Sequence, residues 1–325
     1  MTASLPADVR NVFERFITTE YTTFDADGQP ITWPVTPYHA REAGTIDVTT
    51  GLGYPKKAKD ARANPRVALL FSDPTGSELE NAPMVLVQGT AVVDDHDLRA
   101  NRERYGRESL DKLPATKAMM PPAFLARFFD WYYTRVYVHV RPERVYVWAG
   151  GDSAVEPQLF DAHLEEVRSG HDEEPEAPPP APRGDQPTWG ARIDELGDRY
   201  QHAVLSIAAP DGFPFSIRVP VEVDRAGGCI RLGADPVGAP LAAGLACLTA
   251  HDHAPDFSWQ RNFQVRGDLV PDGDGWALVP HKLIGGFELP PASMLARYRL
   301  NFAKVRRFRA IAKRELRERA ARQAG

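Results

Sequence analysis

A chain of 325 residues suits one large domain or two of about 150 residues each. With 43% apolar and 26% charged residues it is a folded globular protein by composition, which excludes disorder of the whole chain. A net charge of −5 argues against a dedicated nucleic-acid binder, no run approaches the roughly 20 apolar residues of a bilayer span, and two cysteines are too few for a disulfide framework.

The N-terminus lacks the basic start and apolar core of a secretory signal, so the expected compartment is the cytoplasm. Val9, Val12, Phe13 and Phe16 have helical spacing. The β-rich runs Tyr21 to Phe24 and Ile31 to Val35 follow, joined through Asp27-Gly28, a strong hairpin signal. Strands are expected at Gly44 to Val48, Val67 to Phe71 and Val85 to Gly89, then as a pair at Arg135 to Val140 and Val145 to Trp148. The stretch from His171 to Pro187 holds six prolines and an acidic run with no large apolar residue, and reads as a linker.

Beyond it the pattern repeats. Ile193 to Tyr200 is helical, Ala203 to Ile207 and Phe215 to Val223 flank Asp211-Gly212, and Cys229 to Leu232 and Phe263 to Gly267 parallel Thr45 to Val48 and Val85 to Gly89. The boundaries expected are a first barrel over 1–150, a linker over 151–190, a second barrel over 191–292 and a C-terminal helix over 293–325. Hairpin-linked strands without βαβ alternation predict a mainly β fold with some helices, as two tandem antiparallel six-stranded barrels. From Arg297 to Arg322 there are eleven Lys or Arg and two acids, with Phe302, Val305, Phe308, Ala312 and Leu316 near helical spacing: a basic helix packed on an acidic body.

Chemistry concentrates between Thr49 and Lys59. Two hydroxyls, two glycines and the lysines Lys56, Lys57 and Lys59 precede a helix that Asn64-Pro65 ends. Backbone N–H groups and the dipole at a helix start favour an anion, and lysine suits phosphate. The same residues also suit a solvated loop. His251-Asp252-His253 places two imidazoles on one side of an extended segment, which is short of a closed metal site, so no metal is expected. The aromatic run Phe128 to Tyr133 suits a core, an interface or a pocket wall. No GxSxG elbow is present.

The run TTGLGYPKKAKDARANPRVALLF, with DADGQPITWPV before it and MVLVQGTAVV and RPERVYVW after it, resembles the pyridoxamine 5′-phosphate oxidase-like split β-barrel flavoproteins. The resemblance covers residues 10–150 and extends more weakly over 190–290. It implies FMN as cofactor or, in a related branch, a deazaflavin coenzyme. It implies that Lys57 contacts the cofactor phosphate, with Lys56, Lys59, Thr49 and Thr50 around it, and that Pro34, Val35 and Gln88 lie beside the flavin ring. Trp33 stands where many members have a polar or basic residue, and Pro55 replaces a frequent serine. In the second half the matching loop, Gly233 to Leu241, has no Lys or Arg and carries Asp235, so one phosphate cradle is expected instead of two.

Family members usually form dimers with the cofactor at the interface. The resemblance therefore implies an internal pseudo-dimer of the two halves, or a homodimer of whole chains, with Arg218 and Arg266 as candidates for the flavin ring or an acidic substrate. The expected activity is FMN-dependent hydride transfer to or from a small molecule, with no nucleic-acid or membrane partner. A deazaflavin-dependent reductase, with Lys56, Arg62 and Arg66 holding an anionic tail, and a non-catalytic flavin-binding or scaffold protein are the alternatives. Some relatives handle haem, which keeps His251, His253 and His281 in view.

Overall fold

A computed structural model describes residues 5–114, 117, 129–161, 189–233, 235–286 and 294–324, with side chains omitted for 294–304 and 322–324. The Pro-rich acidic run His171 to Pro187 and Phe128 lie outside the described residues, as does the side chain of Phe302.

Among the described residues, fourteen strands form two sheets. The first half contributes β1 (Thr19–Phe24), β2 (Pro30–Val35), β3 (Tyr38–Ala40), β4 (Thr45–Gly51), β5 (Arg66–Phe71), β6 (Met84–Asp94), β7 (Arg135–Trp148) and β8 (Gln158–Asp161). They pair in the order β2-β1-β5-β6-β7-β4-β3, with β8 on β7, as a curled half-barrel. The second half contributes β9 (His202–Ala208), β10 (Pro214–Asp224), β11 (Cys229–Leu232), β12 (Gly244–His253), β13 (Gln260–Asp272) and β14 (Gly275–Gly285), which close into a six-stranded barrel. Among the described residues, five α-helices frame these sheets: α1 (Ala7–Arg15), α2 (Lys56–Ala63), α3 (Leu98–Lys112), α4 (Asp130–Tyr133) and α5 (Ala191–Asp198). A sixth, α6 (Met294–Ala324), follows the second barrel and returns to the first half.

The two halves share one pairing scheme. β9 plays the part of β1, β10 that of β2 and β3 together, and β11 to β14 those of β4 to β7. One difference separates open from closed: β10 runs unbroken where Thr36-Pro37 divides β2 from β3. The scheme matches down to an irregularity. The register of β6 shifts at Gln88/Gly89, with Gly89 opposite Pro142, and that of β13 shifts at Arg266/Gly267, with Gly267 opposite Pro280. β7 is therefore one strand through Pro142, where two were expected, because a bulge next to the proline, with Glu143 as the extra residue, accommodates its missing donor.

The halves face each other. β2 lies against β9, β12 and β13, and β10 lies against β1, β5 and β6. At the centre Thr22 stands opposite Thr32 and Ser206 opposite Ser216, and the four hydroxyls hydrogen-bond together. All four are buried, and Thr249 and Gln264 donate to the Thr32 carbonyl from the second barrel. Both faces of β1 are thus covered, and its six residues are all buried.

Helix α6 packs Val305 and Ala312 into the first half's core, while Leu316 faces solvent, against the amphipathic expectation. Phe308 stacks on Trp131 at 5.1 Å and meets Tyr54 edge-on at 5.6 Å. Phe308→Ala should cost about 1–3 kcal/mol, below the range of a fully buried Phe because the ring is half-buried. Limited proteolysis that cuts α6 no faster in this variant would overturn that expectation.

Candidate functional site

The Thr49–Lys59 segment spans the end of β4, the turn over 52–55 and the first turn of α2, with the strand running past Val48 to Gly51, and most of its polar groups already have partners. The Thr50 hydroxyl donates to the Tyr54 carbonyl at 2.8 Å, which closes the loop on itself. Thr49 sits opposite Tyr137 on β7. Lys56 pairs with Asp60 at 2.9 Å, one helical turn on. Lys59 pairs with Glu315 of α6 at 2.5 Å, and Glu315 is buried. The glycines are needed for close approach. A Cβ on Gly51 would stand 2.9 Å from the Trp131 carbonyl oxygen, and one on Gly53 would stand 2.8 Å from Phe308 and Trp131.

Lys57 differs from its neighbours. Its ammonium lies over the Tyr54 ring at 5.8 Å and has no carboxylate partner among the described residues. Burial first, and the positive charge of Arg135 second, push its pKa down to about 7. Arg135, the first residue of β7, is buried. It donates to the hydroxyls of Tyr54 at 3.1 Å and Tyr105 at 2.7 Å, and stacks on Tyr105 and Tyr132 at 4.1 and 4.2 Å. Its Nε has no hydrogen-bond partner, and no carboxylate among the described residues reaches it.

These residues suit the phosphate of a flavin-type cofactor. An orphaned buried guanidinium N–H and an unpaired ammonium at the start of a helix are donors without an acceptor, which a phosphate supplies. Arg135 and Tyr105 escaped the sequence reading, and Tyr54 and Tyr132 were not linked to them. An arginine opening a β-rich run reads as exposed, and tyrosines from α3, α4 and the β4–α2 loop show no joint pattern in the chain.

The other predicted residues lie in different settings. Pro34 and Val35 pair with Glu20 and Thr19 of β1 and are half-buried. Gln88 is buried and donates to the Pro214 carbonyl of the second half at 2.9 Å. Beside it, between the halves, is a cavity of about 230 Å³ lined by Tyr146, Phe215, Pro210 and the second half's loop at Gly238 and Pro240. Its acid, Asp211, is held by Arg144 at 2.5 Å. Arg266 binds Gln264 and lies 3.8 Å from Asp25. Arg62 pairs with Asp95 at 2.9 Å, and Arg66 lies over the Phe213 ring.

Arg218 belongs to a buried polar cluster that spans the two halves. It donates to Glu20 at 3.1 Å and to Ser72 at 2.9 Å. Glu20 is also bonded to His251 at 2.6 Å and accepts from Ser72 at 2.7 Å. His253 bonds Thr18 at 3.2 Å, and Asp73 lies 3.7–3.8 Å from both imidazoles. Burial by itself raises the Glu20 carboxyl. The hydrogen bond and charge of His251, with Arg218 and Ser72, outweigh it and hold the group below its ordinary value. His281 is elsewhere, on β14 beside Asp268, and no group of three or more His, Cys, Asp or Glu among the described residues could hold a metal.

The strand pairing makes the chain a tandem split-barrel protein, with the fold of the pyridoxamine 5′-phosphate oxidase-like flavoproteins. No protein-family model and no curated protein matches it. Solved structures do match about half of the chain. A putative pyridoxamine 5′-phosphate oxidase from Listeria innocua is 17% identical over 43% of this chain and 94% of its own, with a TM-score of 0.30. An F420 reductase is 21% identical over 43% and 98%, with a TM-score of 0.32. A FAD-binding protein from Mesorhizobium loti is 17% identical over 43% and 92%, with a TM-score of 0.30.

Proposed function

We propose that the protein binds one flavin-type cofactor, FMN, at the loop of its first half and works as an oxidoreductase on a small molecule. The observation that carries this reading is that Lys57 alone of the three loop lysines has no acid partner, on the barrel whose loop keeps its cations. The flavin, when bound, supplies hydride transfer. The chain's part is to hold the phosphate at Lys57, with the loop shaped by the Thr50 bond to Tyr54. Pro34, Val35 and Gln88 are proposed as ring contacts.

The second half acts as the other subunit of an internal pseudo-dimer in this reading, supported by the facing strands and the hydroxyl cluster. A deazaflavin would have to compete for Lys56 and Arg62 with Asp60 and Asp95. A barrel pair without cofactor is the second reading, and it draws on the packing of Gly53 against Trp131 and Phe308. Two buried free thiols suit a reducing cytoplasm. No helix among the described residues is long and apolar enough to cross a membrane.

The test is an absorbance titration of the purified chain with FMN. The wild type should give a bound-flavin spectrum, and Lys57→Ala should bind about 10–100-fold more weakly, the equivalent of one charge-assisted hydrogen bond. A wild-type chain that takes up a deazaflavin and not FMN would move the reading to the reductase. Uptake of neither would leave the barrel pair without cofactor.

A further inference from the structure

We infer that the cavity beside Gln88 is a second binding site, and that it takes an uncharged, flat aromatic molecule of one or two rings that donates a hydrogen bond. The inference goes beyond the flavin reading, which rests on the cationic loop of the first half and shares only Gln88 with this site.

The repeat builds two matching clefts. In each, the bulge of one half meets the hairpin of the other. One cleft is filled with charge. Arg266 precedes the bulge glycine of the second half and lies 3.8 Å from Asp25, in the first hairpin. Helix α2 brings Asp60 within the field of both, and Lys56 holds Asp60 at 2.9 Å. In the other cleft Gln88 has the position of Arg266, and it meets the second hairpin by donating to the Pro214 carbonyl. No helix stands between β11 and β12 among the described residues, and a loop with Gly238 and Pro240 takes its place. This cleft keeps the cavity of about 230 Å³. That is room for about eight water molecules, below the usual range for a large ligand and suited to one or two fused rings.

The lining carries no free charge. Asp211 uses both of its oxygens, one on Arg144 at 2.5 Å and the other on the Phe213 N–H at 3.1 Å. Burial holds the Tyr146 phenol neutral by raising its pKa. An anion would meet Asp211 and a cation would have to displace Arg144, so an uncharged molecule costs least to bind. Tyr146 and Phe215, edge to face at 5.5 Å, and the rings of Pro210 and Pro240 give the cavity flat apolar walls. One polar atom sets the remaining requirement. The Pro214 carbonyl can only accept, so the amide nitrogen of Gln88 serves it and Oε1 is left over. That oxygen is buried without a partner. A ligand with a donor satisfies it, and a ligand of the same shape without one leaves it orphaned.

The test is a ligand-observed NMR titration of the full chain with indole and with benzofuran, which match in shape and differ in the N–H. The wild type should bind indole at least ~10-fold more tightly than benzofuran. Gln88→Met keeps the length and loses the acceptor, and should bind the two alike. Pro240→Trp, at a half-buried loop position, fills the cavity from its rim and should weaken indole binding at least ~10-fold. Equal binding of the two probes by the wild type, no binding of indole, a preference for indole kept by Gln88→Met, or full binding by Pro240→Trp overturns the inference. The wild-type comparison and Pro240→Trp decide the matter if Gln88→Met does not fold. Indole bound as described by a chain that takes up no FMN would leave this site standing and the flavin reading fallen. FMN taken up by a chain that binds neither probe would do the reverse.

Discussion

Glu20→Ala should lower the unfolding free energy by about 3–5 kcal/mol, the cost of removing one partner from a buried ion pair. Glu20 is fully buried and receives Arg218, His251 and Ser72, so its loss strands a guanidinium and an imidazole from the second half against the first. Glu20→Gln keeps the shape and loses the charge, and should fall between. Urea unfolding at pH 7 measures both. A Glu20→Ala loss under about 1 kcal/mol would mean that the cluster is wetted and not a clamp.

The pH dependence has a definite sign. The Glu20 carboxyl is held below its ordinary value of 4.5, so its contribution is fully present above that pH and is lost as the pH falls through the lower folded value. Asp73 is shifted the same way, its own burial being outweighed chiefly by the charge of His251. The gap in stability between the wild type and Glu20→Gln should therefore hold from pH 7 to about pH 5 and close below the ordinary carboxylate value. A gap that stays constant down to pH 3 would separate the cluster's contribution from this carboxylate.

Gly89→Ala and Gly267→Ala should each cost at least about 3 kcal/mol, the upper end for overpacking. A Cβ at Gly89 would stand 2.2 Å from the Arg141 carbonyl oxygen, and one at Gly267 would stand 2.3 Å from that of Val279. Both neighbours are backbone in the middle of a ladder and cannot rotate away. Thermal unfolding of the two variants, with Gly106→Ala as a control whose Cβ meets nothing within 4 Å, tests the expectation. A Gly89→Ala melting point within a degree of the control would show that the ladder opens at little cost.

Much of the fold could be read before any coordinates. The Asp27-Gly28 and Asp211-Gly212 hairpins are local signals, and both lie where expected, between β1 and β2 and between β9 and β10. The repeat followed from lining up those hairpins with Gly89 and Gly267. What could not be read is long-range or contrary to local pattern. On β1, Glu20 and Thr22 share one face, which their polarity assigns to solvent, yet the second half covers it and both are buried. Lys59 and Glu315 are 256 residues apart, so nothing near the loop shows that this lysine is taken. Lys57 and Lys59 look equivalent in sequence and part company only when α6 arrives. The linker was expected to begin at residue 151, and β8 instead extends the first sheet to Asp161, with Leu159 exposed in a short edge strand.

The four hydroxyls at the centre bear on how each half recognises its mate. Two threonines come from one half and two serines from the other, so the junction holds two methyl groups. Were two copies of the first half to meet there, four methyls would crowd the same space. Two copies of the second half would bring none and leave a gap. Packing at this single point rewards the unlike encounter over either like one, and connecting the halves in one chain keeps the unlike partner always at hand.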